Sequence, residues 1–408
     1  MSGLLCDLEP YRHLAPVGAV DHLLRLAEEA QGQRFLHVNS TAVGGGVAEI
    51  LHRLVPLMRG LGLDTDWVVI EGDADFFATT KVMHNALQGA AQSLTESMLE
   101  HYLEVNRWNA ARRSFEADLV MIHDPQPAAL IEARPTHGAW AWRCHIDLSA
   151  PVPQTWRFLA RFVNRYDVAV VSLPAFGRHL TIPHVVVPPS IDPLSDKNRA
   201  LSSEDIATAL RNLAVPDDKP LLVQVSRFDR FKDPVGVIRA YQIVKREYDV
   251  RLVLAGGSAT DDPEGPKVLA EVLEAVGQDP DVVVLDLPPD AHLAINALQR
   301  AATIVLQKST REGFGLTVAE ALWKGTPVIG GAVGGITEQI IDGVTGYTVR
   351  SPEEAAQRIR TLLEDPVRRR AMGAAGREHV RQRFLITRQL ADYLSLLVDV
   401  TRTRARAT

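Results

Sequence analysis

Ser309-Thr310-Arg311-Glu312-Gly313-Phe314-Gly315-Leu316-Thr317-Val318-Ala319-Glu320-Ala321-Leu322-Trp323-Lys324-Gly325 is the stretch whose reading decides the fold. The apolar run just before it, Thr303-Ile304-Val305-Leu306, reads as a buried strand of a parallel sheet. Gly313 and Gly315 make a tight turn, and residues 316–323 read as a short helix closed by Gly325. Glu312 therefore falls in the loop at the carboxyl end of a strand. Glu320 falls about one turn into the helix with its side chain tilted back toward the start. Both then face the crevice where open α/β sheets bind ligands. The helix start adds free N–H groups and a positive dipole end for an anion. Two carboxylates for hydroxyls beside an anion site suit a sugar nucleotide. A plainer reading also fits, with Glu312 a first-turn dipole partner and Glu320 on a solvated face.

The bounds around this stretch are those of a soluble globular protein. At 408 residues the chain is too long for one domain, and two or three are expected. Hydrophobic content of 46% and charged content of 23% are globular values. A net charge of -6 argues against nucleic acid, whose binders carry clustered Lys and Arg. The two cysteines, Cys6 and Cys144, match no zinc or redox spacing and imply a reducing compartment. Neither a signal peptide nor an apolar run near the roughly 18 residues of a membrane span is present. A cytoplasmic protein with no membrane partner is expected.

Working toward the amino terminus, strands and helices alternate. Residues 34–39 form a first strand, running into Ser40-Thr41-Ala42-Val43-Gly44-Gly45-Gly46 and an apolar helix. The loop is neither a dinucleotide fingerprint nor a P-loop. It is either a tight turn or a place where backbone approaches a ligand at a helix start. Further strands are read at 66–70, 119–122, 140–144, 169–172 and 185–187. Residues 71–106 are an excursion, either a helix pair shaping an acceptor pocket or a lid. Two strands deliver a His and then an Asp to one sheet edge, in His123-Asp124 and in His145-Ile146-Asp147. Pro188-Pro189-Ser190-Ile191-Asp192-Pro193 reads as a linker. Beyond it strands at 221–225, 252–255, 282–285, 303–306 and 327–329 make a second doubly wound domain. The expected domains are 1–192, completed by a helix at about 383–408, and 193–382.

The first strand of the second domain delivers Arg227 and then Lys232 to the edge that carries Glu312, Glu320 and Gly256-Gly257. A forked guanidinium with a point ammonium suits a departing diphosphate. Gly330-Gly331 and Gly334-Gly335 add places for close backbone approach. Taken singly, each cation also fits a surface salt bridge; together they are far more specific.

Arg227, Lys232 and Glu312-x7-Glu320 resemble the nucleotide-sugar site of retaining glycosyltransferases with the GT-B fold, the family that contains the sucrose synthases. The departure is Asp233, where many members carry Gly; it is expected to touch loop flexibility more than charge. Closer still is a resemblance to trehalose glycosyltransferring synthases from about Gly45 onward. It is carried by Gly45-Gly46-Val47-Ala48-Glu49, His84-Asn85-Ala86-Leu87-Gln88-Gly89, His123-Asp124-Pro125-Gln126-Pro127, Trp142-Arg143-Cys144-His145-Ile146-Asp147 and Pro188 through Ser195. The resemblance implies two Rossmann-like domains facing each other across a deep cleft. It implies reversible formation of α,α-trehalose from a nucleoside diphosphate glucose and free glucose. Retaining trehalose phosphorylases also look similar and are the nearest rival. A non-catalytic sugar-nucleotide sensor is a rival of another class, against which the joint presence of all four site residues speaks.

The same resemblance implies the roles. Arg227 and Lys232 hold the diphosphate and stabilise its charge. Glu312 binds donor-sugar hydroxyls, in the loop Gly313-Phe314-Gly315-Leu316 whose N–H groups help, and Glu320 binds the ribose. Gly45 and Gly46 approach from the first domain, His145 sits beside the donor sugar, and Asp147, His84 and Asn85 are acceptor-side candidates. No prosthetic group or metal cage is implied, Mg²⁺ only accompanies the nucleotide, and a homodimer is the expected assembly.

Overall fold

Parallel strands are stable only where both faces of the sheet are covered, and this chain builds two all-parallel sheets. The structure, a computed structural model, describes residues 8–43, 45–257 and 265–405; Cys6 and Gly44 lie outside the described residues. The first sheet has β1 (Arg34–Asn39), β2 (Asp64–Val69), β3 (Leu119–His123), β4 (Ala139–Cys144), β5 (Val168–Val171) and β6 (His184–Val186). Their spatial order is β2-β1-β3-β4-β5-β6, parallel throughout. The second has β7 (Leu221–Val225), β8 (Arg251–Gly256), β9 (Val282–Asp286), β10 (Ile304–Gln307), β11 (Val328–Gly331) and β12 (Gly346–Val349). Its order is β12-β11-β10-β7-β8-β9, again all parallel.

Strand order reverses between β1 and β3 in one sheet and between β7 and β10 in the other. Those switch points are where doubly wound sheets open a ligand crevice at their carboxyl ends. The strands expected from the sequence are present with ends moved by a few residues. β12 was not anticipated, because Gly346-Tyr347-Thr348-Val349 is short and begins with glycine.

Residues Met1–Pro189 with Ile386–Thr408 make one compact unit and Ser190–Leu385 the other. Ile191 belongs to the second because its N–H donates to the Phe384 carbonyl at 2.9 Å. The closing helix differs from the expected span beginning at 383. One helix ends at Arg383, Phe384 (φ -129) leaves helical geometry, and a separate helix runs Ile386–Ala405. That second helix buries Leu390, Tyr393, Leu394 and Leu397 in the first unit. Its Arg388 donates to the Pro188 and Pro189 carbonyls.

The excursion after β2 is a pair of helices, Ala74–Leu87 and Glu96–Ala110, capped by Asp73 and Thr95. The pair braces the loop that follows β3. Tyr102 donates to the Pro125 carbonyl at 2.8 Å and Asn106 to that of Gln126 at 3.1 Å. Tyr102 is fully buried and stacks on Phe76.

In the second unit the loop after β11 packs directly on the loop after β10. Gly334 has φ +45, and a Cβ there would stand 1.7 Å from the Glu312 carbonyl oxygen. Likewise a Cβ on Gly256 would meet the Ser226 carbonyl at 1.8 Å. These glycines therefore serve approach to neighbouring backbone, where the sequence suggested approach to a ligand. Gly334→Ala is expected to lower the unfolding free energy by about 2 kcal/mol or more, from strain and overlap together. The midpoint of urea denaturation measures it.

Candidate active site

The loops after β7 and β10 flank the switch point of the second sheet. Lys232 and Glu312, 80 residues apart in sequence, meet there: Lys232 Nζ is 2.5 Å from Glu312 Oε2. Ser309 Oγ donates to the same oxygen at 3.2 Å. Glu312 is 8% exposed, so its charge is held largely out of water. Removing the lysine would leave a buried carboxylate without its cation, the costly way to break such a pair.

The two loops are tied by backbone as well as by charge. Thr310 N–H donates to the Phe231 carbonyl at 2.8 Å, and Gln224 Nε2 to that of Lys232 at 2.9 Å. Arg227 Nη2 lies 3.3 Å from Asp229 Oδ2, while Asp229 Oδ1 accepts from Phe231 N–H at 2.7 Å. The Arg227 side chain keeps 40% of its surface exposed.

Asp233 corrects the expectation placed on it. Its φ is +49, the left-handed region that favours glycine, which explains why glycine suits the position. Here the carboxylate caps the helix Pro234–Lys245 through Gly236 N–H at 3.1 Å and pairs with buried Lys308. Asp233 thus adds charge and a cap that locks the Lys232 loop to the strand end at Lys308.

Glu320 sits on the helix Leu316–Trp323, which starts at Gly315 (φ +82) with no side-chain cap and is closed by Gly325. At 1% exposure it is not a solvated face residue. Lys197 Nζ stands 3.2 Å from Glu320 Oε1, and Gln299 Nε2 lies 3.4 Å from Oε2. Glu312 and Glu320 are therefore held by different cations. Sequence reasoning missed Lys197, which lies two residues past the linker stretch that carried the resemblance. Its segment is anchored by Asn296 and Arg300, whose side chains donate to the Arg199 carbonyl at 2.9 Å each. Lys324 links Asn198 Oδ1 and Gln299 Oε1 at 3.0 and 2.7 Å.

In the first unit, His145 follows β4 and is half-buried. Its backbone N–H donates to Asp124 Oδ1 at 2.8 Å, and Asp124 holds φ +66. Burial pushes the Asp124 carboxyl up to about 7. His145 Nε2 is 3.0 Å from His123 Nδ1, and His123 Nε2 is 3.0 Å from His37 Nδ1. Neither contact was anticipated. Asp147 is buried and accepts from Ser149 N–H at 2.8 Å, closing its own turn. His84 and Asn85 lie on a different element, at the end of the helix Ala74–Leu87, with Asn85 buried. Gly45 opens the helix Gly45–Gly60, and Gly46 is exposed within it. Cys144 is a buried free thiol pushed upward by burial. Among the described residues, no group of three or more His, Cys, Asp or Glu side chains is placed to hold a metal ion. No helix among them is long and apolar enough to cross a membrane.

Two six-stranded parallel sheets of this order have the GT-B fold of glycosyltransferases. Solved structures of the same fold include sucrose-phosphate synthase from Thermosynechococcus elongatus, with a TM-score of 0.69 and 19% identity over 92% of this chain and 100% of that one. Another is an α,α-trehalose-phosphate synthase (UDP-forming) from Burkholderia xenovorans, with a TM-score of 0.73 and 15% identity over 90% and 100%. Within the class, residues 37–178 match the family described as trehalose synthase, N-terminal domain, and residues 205–379 match glycosyl transferases group 1. The trehalose synthase of Pyrococcus horikoshii is 48% identical over 96% of this chain and 95% of its own. That of Rubrobacter xylanophilus is 44% identical over 96% and 97%. The chain belongs to the trehalose synthase family. A trehalose phosphorylase of Pleurotus pulmonarius is 29% identical, and only 62% of its length is covered.

Breaking the buried pair at Glu320 tests its weight. Lys197→Met is expected to cost roughly 3 kcal/mol of stability, and adding Glu320→Gln should recover most of that. A double-mutant cycle by urea denaturation reads the coupling.

Proposed function

We propose that this protein is a glucosyltransferase that joins the glucose of a nucleoside diphosphate glucose to free glucose, giving α,α-trehalose with retention at the donor carbon. The observation that carries the reading is the Lys232–Glu312 pair at the switch point of the second sheet. It stands in a chain 48% identical to a trehalose synthase over nearly the whole of both.

The second unit is the donor side. Arg227 and Lys232 receive the diphosphate, and their charge grows in value as the bond from the anomeric carbon to phosphate oxygen breaks and the electron pair passes to phosphate. Glu312 accepts from donor-sugar hydroxyls, assisted by N–H groups at Gly313, Phe314, Gly315 and Leu316. Glu320 accepts from the ribose hydroxyls while Lys197 Nζ, 3.2 Å from its Oε1, holds it in orientation. The acceptor hydroxyl attacks from the face the leaving group occupies and passes its proton to a phosphate oxygen. Both glutamates are already engaged by lysines, which suits binding roles better than nucleophilic attack. The first unit is the acceptor side, with His145 beside the sugar, Asp147 firming the turn that follows it, and Gly45 and Gly46 at a helix start. His84 and Asn85 are further acceptor-side candidates. Because the donor is a nucleotide sugar, a cytoplasmic setting follows.

Incubation with UDP-, ADP- or GDP-glucose plus glucose is expected to release a nucleoside diphosphate and a disaccharide that trehalase digests. A trehalase-resistant product, or glucose transfer only to other acceptors, overturns the assignment. Phosphate-dependent trehalose cleavage without nucleotide would point to a phosphorylase instead. Lys232→Ala and Glu312→Ala should each reduce kcat/KM by about 100-fold or more, the scale of a lost charge-stabilising group. Near-normal turnover in both would show that the site lies elsewhere.

A further inference from the structure

The switch point of the first sheet holds a chain of three imidazoles that the transfer chemistry leaves unexplained. His37 lies within β1, His123 ends β3 and His145 follows β4. Two contacts of 3.0 Å run Nδ1 to Nε2, from His37 to His123 and from His123 to His145. His37 is 0% and His123 2% exposed, and only His145 reaches the surface. The rings are clamped from the sides. His37 stacks on Phe35 at 4.4 Å between centroids, and the planes of His123 and His145 lie within 15° of each other, as an in-plane ring-to-ring hydrogen bond needs.

The chain has a direction. Burial pushes His37 down to about 3 and holds His123 and His145 well below the usual histidine value, with Arg143 adding to the effect on the latter two. All three rings are therefore neutral near pH 7. A neutral imidazole carries one N–H and one lone pair. Each contact consumes one of each, so all three rings must run in the same sense. In one sense every proton is on Nδ1; in the other every proton is on Nε2. The second would bury an N–H at His37 Nε2, an atom with no partner. Orphaned buried N–H groups are the rarer fault in folded proteins. The first sense leaves only an unshared lone pair there.

We propose that His37 and His123 are positioning residues that fix His145 as its Nδ1–H tautomer, making it a hydrogen-bond donor to a hydroxyl oxygen of the bound sugar. The inference rests on the placement of His145 beside the substrates. It excludes His145 as the base that takes the acceptor's proton, since its outward nitrogen carries a proton already and its inward one is held by His123. That accords with the proposed route in which the attacking hydroxyl passes its proton to a phosphate oxygen of the substrate.

The direct test is nitrogen-15 NMR of the histidine side chains in the full-length protein, with His145 assigned by loss of its signals in His145→Gln. A proton on Nδ1 of His145 is expected; a proton on Nε2 overturns the proposal. The kinetic test compares His123→Asn with His123→Leu. The asparagine amide can take the place of Nδ1 and still donate to His145 Nε2, whereas leucine cannot. The leucine variant should lose about tenfold in kcat, the scale of one hydrogen bond in the transition state, and the asparagine variant should regain most of it. Equal kcat in two variants of equal Tm overturns the positioning role. Wild-type kcat in His145→Gln would overturn the substrate-facing placement instead, with the tautomer spectrum deciding the relay separately. If His123→Leu does not fold, the wild-type spectrum alone decides.

Discussion

A parallel strand covered on both faces holds charge poorly along its middle, so the ionic chemistry of such a chain gathers at or past the strand ends, with Arg143 near the end of β4 and Arg251 at the start of β8. That constraint organises both units. In the second it leaves Arg227 and Lys232 beyond β7 and Glu312 beyond β10, the two strands that flank the reversal of order. Neither loop could hold its charge alone at this burial. The 2.5 Å contact between Lys232 and Glu312 is the solution, and the Thr310–Phe231 backbone bond and the Asp233–Lys308 pair hold the loops in place for it.

The two switch points share a geometry and differ in chemistry. One gathers opposite charges, the other three uncharged rings. A diphosphate asks for cations whose partners can share them, and a neutral sugar asks for a donor whose direction is fixed. The proposed division into a donor side and an acceptor side fits that contrast.

The strands were legible because apolar runs of four to six residues bounded by Gly, Pro and Asp have few other readings. The two charges that meet at Lys232 and Glu312 were legible as residue types, and so was the helix Leu316–Trp323 with its closing glycine. What the sequence concealed were contacts across long separations. Lys197 has no local signal that marks it as the partner of Glu320. His37 looked like one polar position in an apolar strand, and only the pairing of β1 with β3 brings it to His123. Asp233 was weighed as a missing glycine, and its carboxylate proved to have two partners of its own. The glycines after β8 and β11 were weighed against a ligand, and neighbouring carbonyls proved nearer. In each case the residue type was plain and the neighbour was not.

The chain crosses between its units twice, at Pro189–Ser190 and at Leu385–Ile386. The second unit is continuous in sequence, so its core needs no residue beyond Leu385. The first does, because Leu390, Tyr393, Leu394 and Leu397 belong to its core and are translated after all of the second unit. On the ribosome the amino-terminal half therefore waits, with the surface meant for the helix Ile386–Ala405 uncovered. A released chain truncated before residue 386 would keep every residue of the second unit and lack the helix that completes the first.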